Sequence, residues 1–272
     1  MNSTPEQIAF IGGGNMASAL IGGLVNSGRA PASMLVIDPG EAQRTSLQQR
    51  FGVRTQAAAD AALAGSALVV WAVKPQLFSE AAAPAAAFVA DALQLSVMAG
   101  IRCSALARAT GATRIVRSMP NTPALIGRGI AGLYATPEVA LAQRTLVEQV
   151  LQPTGQLIWL EQEGDLDAVT ALSGSGPAYV FYFVEAMMAA AVQMGLSAEQ
   201  GKQLALATFD GAVALAAQSD EPPAVLRERV TSKGGTTYAA LQSMQADGVG
   251  PALIKAVRAA QRRATELGDE FG

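Results

Sequence analysis

Gly12-Gly13-Gly14-Asn15-Met16-Ala17 lies between the apolar run Ile8–Ile11 and a stretch, Met16–Val25, with helical character. In that order the G-x-G-x-x-A spacing has a chemical meaning. Gly12 permits a tight turn, Gly14 lets a phosphate approach the backbone, and Ala17 lets the helix pack closely on the strand. The helix start, with Asn15 and Met16, offers free N–H groups to an anion. Such a turn suits the pyrophosphate of a dinucleotide. Asp38 closes a second β-rich run, Met34–Ile37. A carboxylate there accepts hydrogen bonds from an adenosine ribose and repels a 2′-phosphate, so the sequence leans towards NADH over NADPH. Arg44 would instead pair with such a phosphate, and Asp38 before Pro39 would equally suit a helix cap.

Two proline-bearing segments follow strand candidates in the same manner. Val73-Lys74-Pro75-Gln76 leaves the run Leu68–Val73, at the strand end where open α/β sheets bind ligands. Ser118-Met119-Pro120-Asn121-Thr122-Pro123 leaves Arg114–Arg117, with Asn121 and Thr122 as the polar groups expected to face a ligand. Taken alone, both segments read equally well as rigid surface turns. In the second half, Val230–Leu241 carries Thr231-Ser232-Lys233-Gly234-Gly235-Thr236-Thr237. Two glycines and flanking hydroxyls opening a helix make a cradle of N–H groups that would suit a carboxylate. A helix–helix turn with hydroxyl caps fits the same residues.

Composition narrows the chemistry. The 272 residues include no histidine, which removes Ser-His-Asp and Cys-His catalysis, His-ligated metals and His proton relays. Any acid or base must be Lys, Asp/Glu, Tyr, Ser/Thr or water. Cys103 is the single cysteine, so neither an intrachain disulfide nor a cysteine metal site is expected. A net charge of −3 gives no reason to expect a nucleic-acid partner. Residues Met1 to Glu6 are polar and lack the order of a signal peptide, and a cytoplasmic protein is expected. Ala178–Val192 is apolar but short for a membrane span, carries Glu185 and follows the turn-prone Gly174-Ser175-Gly176-Pro177. A helix buried at an interface suits it better.

These groups must be positioned by the elements around them. Strand and helix signals alternate through the first part, with further strands expected at Leu93–Met98, Gly129–Leu133 and Leu157–Leu160. Ala57–Ala64 and Ala81–Ala90 read as helices. Right-handed βαβ units over a largely parallel sheet follow. From Asp165 onward only helices are expected: Asp165–Gly195, Ser197–Ala217, Pro222–Val230, Thr236–Ala246 and Pro251–Leu267. The expected division is a dinucleotide-binding Rossmann domain, residues 1–162, and a helical domain, residues 163–272.

Across nearly its whole length the chain resembles the pyrroline-5-carboxylate reductases. The resemblance rests on Gly12–Met16, Val73-Lys74-Pro75, Met119-Pro120-Asn121-Thr122-Pro123, Leu172-Ser173-Gly174-Ser175-Gly176-Pro177-Ala178 and, above all, Thr231–Leu241. It implies NAD(P)H-dependent reduction of Δ1-pyrroline-5-carboxylate to L-proline, the last step of proline biosynthesis. It also implies a C-terminal domain that interlocks with a second copy, giving at least a homodimer and leaving larger rings such as a decamer open. Ser232, Gly234, Gly235, Thr236 and Thr237 would then hold the substrate carboxylate, with Thr237 near the ring nitrogen. The dinucleotide would lie on Gly12, Gly14, Asn15, Met16, Asp38, Val73, Lys74, Pro75 and Asn121. Asp38 stands where NADPH-using members often have a small or polar residue, and Ala57-Ala58-Ala59 replaces a segment that commonly carries Asn. Both departures favour NADH.

Imine reduction demands little of a protein: the C=N carbon must sit about 3–3.5 Å from the hydride carbon, with the nitrogen protonated or hydrogen-bonded. Thr237 is the expected hydrogen-bond donor to that nitrogen, and Lys74 a pocket wall. A β-hydroxyacid dehydrogenase relative would want a lysine early in the long interdomain helix, and Leu172–Val184 contains none. A non-catalytic nucleotide sensor on the same fold is the alternative from another class.

Overall fold

The computed structural model describes residues 6–271; the polar residues before Glu6 lie outside them. Four short apolar runs become the centre of a sheet: β1 (Ile8–Ile11), β2 (Met34–Ile37), β4 (Leu68–Trp71) and β5 (Leu93–Ser96). Every residue in them is buried, as expected of parallel strands covered by helices on both faces. With β3 (Arg54–Gln56), β6 (Ile115–Met119), β7 (Gly129–Ala135) and β8 (Gly155–Trp159), the order is β3-β2-β1-β4-β5-β6-β7-β8. Ile8 pairs with both Met34 and Leu68, so β1 lies at the middle of the doubly wound half. The one antiparallel neighbour is β7, set against β6 with Ser118 opposite Leu133. A short loop joins those two strands, and a parallel pairing would have needed a crossover.

Helices α1 (Asn15–Asn26), α2 (Glu41–Phe51) and α5 (Leu141–Leu151) bury Leu20, Leu24, Leu47, Val147 and Val150 against one face of the sheet. Helices α3 (Phe78–Val89) and α4 (Cys103–Thr110) bury Phe78, Val89 and Leu106 against the other. Between them the buried Gln94 accepts from Trp71 Nε1 at 2.8 Å and donates to the carbonyls of Val89 and Ala92, so its amide is fully used.

The remaining helices are α6 (Asp165–Val169), α7 (Gly176–Gln193), α8 (Ala198–Ala217), α9 (Pro223–Arg229), α10 (Thr236–Ala246) and α11 (Val249–Phe271). The fold is thus a Rossmann α/β part followed by an all-α part. Two compact units divide the chain in space: Gly176–Ala259 form one, and the sequence through Ser175 together with the stretch from Ala260 forms the other. In the helical unit α7 and α8 pack closely through small residues. A Cβ added to Gly201 would stand 2.8 Å from the Cβ of Ala191. Large apolar side chains remain outward in this unit, among them Phe181 at 59%, Tyr182 at 72% and Val213 at 64% exposure.

The structure differs from expectation at two places. Ala57–Ala64 is not a helix: Asp60 Oδ1 takes the N–H of Ala62, and only the three-residue 3₁₀ turn Ala61–Leu63 forms before Gly65 turns at φ +76. So short a run, interrupted at Asp60, does not cover the cost of helix nucleation. The edge strand β3 was not anticipated, because Arg54-Thr55-Gln56 has no apolar pattern and is held by pairing with β2. The expected helix Asp165–Gly195 runs on through the turn-prone Gly174–Pro177. A π-helical turn spans Thr170–Gly174, with the N–H of Ser175 bonded to the carbonyl of Thr170 at 2.8 Å, and α7 resumes at Gly176. The stretch Asp165–Gln193 is therefore long and apolar enough to cross a membrane by length and composition alone.

Candidate active site

The glycine turn is built by steric necessity. Gly12 has φ +95, and a Cβ there would lie 2.7 Å from the carbonyl oxygen of Ala72 and 2.9 Å from Val73 Cγ1. The end of β4 thus backs directly onto the turn. Gly14 caps α1 in extended conformation, makes no side-chain cap, and a Cβ on it would meet nothing within 4 Å. Its surroundings are open to a ligand, and α1 keeps uncapped N–H groups beside that space. Asn15 is exposed and Met16 half-buried, while Ala17 is fully buried under the helix.

Side chains from the β2–α2 connection fasten the middle residue of the turn. Asp38 Oδ2 accepts the N–H of Gly13 at 2.8 Å, and Oδ1 accepts that of Gly40 at 2.8 Å. Asp38 is not the N-cap of α2; that position is Gly40. Gln43 Nε2 donates to the Gly13 carbonyl, and Ser18 Oγ approaches the same oxygen at 3.4 Å. Arg44 Nη1 donates to the carbonyls of Asp38 and Pro39, each at 2.8 Å, which holds the guanidinium over the connection. Asp38 was legible from the sequence. Gln43 was not, since nothing in a polar helix marks which glutamine turns inward.

Lys74 leaves β4 exposed and extended, ahead of the 3₁₀ turn Pro75–Leu77; Val73 and Pro75 are half-buried. Asn121 Oδ1 accepts the N–H of Ile130 at 3.1 Å, closing the loop between β6 and β7 around the 3₁₀ turn Thr122–Ile126. Behind this loop, the buried Arg117 pairs with Glu163 at 2.6 Å, and the same carboxylate oxygen takes the N–H of Cys103 at 2.7 Å. Burial pushes the Cys103 thiol well above its ordinary pKa, and the negative charge of Glu163 adds to that push.

In the helical unit, Gly234 turns at φ +77 and Gly235 caps α10 with no side-chain cap. A Cβ on Gly235 would come within 2.6 Å of Ser232 Oγ, so a larger residue there would make the Ser232 side chain move. The Gly235 N–H bonds the Ser232 carbonyl at 3.0 Å, and Thr231 Oγ1 donates to Arg227. Thr236 and Thr237 open α10, the first exposed and the second half-buried.

Comparison with known proteins identifies the family. Residues 163–267 match the family described as pyrroline-5-carboxylate reductase dimerisation, and residues 7–100 match that described as NADP oxidoreductase coenzyme F420-dependent. The pyrroline-5-carboxylate reductase of Pseudomonas aeruginosa is 44% identical, covering 99% of this chain and 99% of that protein. Among solved structures, the pyrroline-5-carboxylate reductase of Coxiella burnetii superposes with a TM-score of 0.91 at 34% identity, over 97% of this chain and 99% of that one. The Plasmodium falciparum pyrroline carboxylate reductase, solved with NADP bound, gives 0.86 at 28% identity over 97% and 98%. This chain belongs to the pyrroline-5-carboxylate reductase family.

Proposed function

We propose that the Ser232–Thr237 turn holds the substrate carboxylate while this chain performs the reaction of its family, reduction of Δ1-pyrroline-5-carboxylate to L-proline. The observation that carries this reading is the turn itself. Glycine is favoured at 234 by a backbone angle of φ +77, Gly235 packs closely on Ser232, and the N–H groups opening α10 are left without a capping side chain. Such a cradle suits a small carboxylate. Thr237 donates its hydroxyl to the ring nitrogen and so makes the C=N carbon more electrophilic. In a chain without histidine, a hydroxyl and water are sufficient for that task.

The nicotinamide dinucleotide, when bound, supplies the hydride. Gly12, Gly14, Asn15 and Met16 receive its pyrophosphate, with the open space at Gly14 as the fit. Val73, Lys74, Pro75 and Asn121 line its reactive end. Asp38 favours NADH over NADPH, because its charge lies beside the turn and Arg44 is partly occupied by backbone carbonyls. The dinucleotide-binding residues fall within 1–162 and the substrate-binding and dimerisation residues within 163–272, while the stretch from Ala260 packs with the first of these in space. The assembly is a homodimer at least, with a decamer among the closed rings open to it, and the enzyme works in the cytoplasm.

Steady-state oxidation of NADH and NADPH with pyrroline-5-carboxylate tests the reading. NADH should give the higher kcat/KM, and Asp38→Ser should narrow the gap by roughly tenfold, about 1.4 kcal/mol. A strong NADPH preference in the unaltered protein would overturn the role given to Asp38.

A further inference from the structure

We infer that Gln43 is a positioning residue for the dinucleotide, acting through the orientation of the Gly13–Gly14 peptide; this rests on the cofactor reading above. Gly13 is clamped on both sides, by Asp38 of the β2–α2 connection and by Gln43 in the first turn of α2. Its N–H goes to Asp38 and its carbonyl to Gln43 Nε2. The described chain contains no cis peptide bond. In a trans peptide the carbonyl of Gly13 and the N–H of Gly14 point in opposite directions. Holding the carbonyl towards α2 therefore turns the Gly14 N–H away from α2, towards the open side of the turn. Gly14 has room for a ligand, since a Cβ on it would meet nothing within 4 Å.

Without Gln43 the carbonyl keeps only the long approach of Ser18 Oγ at 3.4 Å, and the peptide is freer to rotate. A rotated peptide presents an oxygen where an anion needs a donor. Gln43 thus acts on the phosphates without touching them. Its stem also packs against the turn, since Cγ lies 3.3 Å from where a Gly13 Cβ would be, so the substitution that isolates the amide must keep the chain length. Asp38 cannot do this work, because it fixes the preceding peptide, between Gly12 and Gly13.

The test compares Gln43→Met, which keeps the stem and loses the donor, with Gln43→Glu, which places an acceptor against the carbonyl. Direct titration with NADH and with NADPH gives Kd, and steady-state assays give KM and kcat. Gln43→Met should raise dinucleotide Kd and KM about three- to tenfold, the effect of one hydrogen bond, and Gln43→Glu should raise them further. For both, kcat and the KM for pyrroline-5-carboxylate should stay within twofold, and the melting temperature without dinucleotide should match the parent protein. Gln43→Lys, which restores a donor, should recover part of the loss. Parental dinucleotide Kd in both Gln43→Met and Gln43→Glu would overturn the inference, as would losses shared equally with kcat or with the melting temperature. If the unaltered protein bound neither dinucleotide, the cofactor reading itself would fail.

Discussion

A methyl group added at Gly12 and one added at Gly14 would meet very different surroundings. At Gly12 it would collide with the Ala72 carbonyl in a backbone region unfavourable to L-residues. At Gly14 it would enter empty space with ordinary angles. Gly12→Ala should therefore lower the stability of the whole protein by at least about 1–2 kcal/mol, the left-handed penalty alone. Gly14→Ala should leave melting unchanged in the absence of dinucleotide, yet raise the dinucleotide KM roughly tenfold or more, about 1.4 kcal/mol. Thermal melts beside steady-state kinetics separate the two, and a Gly14→Ala enzyme with parental KM would show that no ligand uses that space. At Thr237 the contrast is between chemistry and anchoring. Thr237→Ala should reduce kcat by up to about 100-fold with a smaller change in KM. Unchanged kcat over the pH range would remove the hydroxyl from the reaction and leave water as the proton source.

At the scale of elements, the tie between α4, β6 and the start of α6 is a single carboxylate. Glu163 receives the N–H of Cys103 and the guanidinium of Arg117, whose Nε is buried without a partner. Arg117 is buried and Glu163 only partly so, and removing Glu163 leaves the guanidinium short of its partner, so Glu163→Ala should cost about 1–3 kcal/mol in urea unfolding. A cost near zero would mean that water reaches Arg117 freely. None of this tie was legible in the sequence, because it joins residues brought together only by the sheet order. What was legible followed from burial. Strands β1, β2, β4 and β5 are covered on both faces and so appear as unbroken apolar runs. β3 sits at the edge, and Arg54-Thr55-Gln56 carries no such mark. The alanines before Asp60 have helix propensity, but a local side-chain bond and a nearby glycine outweigh it. The glycine turns could be found by spacing, because their geometry depends on residue type; the fastening of Gly13 by Gln43 could not, because it depends on where α2 is placed.

For the whole molecule, the helical unit turns much of its apolar surface outward, and its sequence matches a dimerisation family. Oligomerisation follows, and α8 offers a direct test of the surface. Leu206 and Val213, one heptad apart on that helix, are 46% and 64% exposed. Replacing both with Asp should shift sedimentation at micromolar concentration towards the monomer, with loss of activity; an unchanged profile would place the contact elsewhere. Helix α11 bears on how the protein can be taken apart. It begins in the helical unit, and from Ala260 it belongs to the Rossmann unit, where Asp269 pairs with Arg102 and Gly268 lies against the same guanidinium. No uninterrupted length of gene therefore encodes the nucleotide-binding half. Cutting the reading frame after Ser175 would strip Arg102 of its carboxylate and bare the loop at Gly100, where Leu267 now rests. An autonomous half would need its last helical turns supplied as a separate peptide or spliced back through a linker.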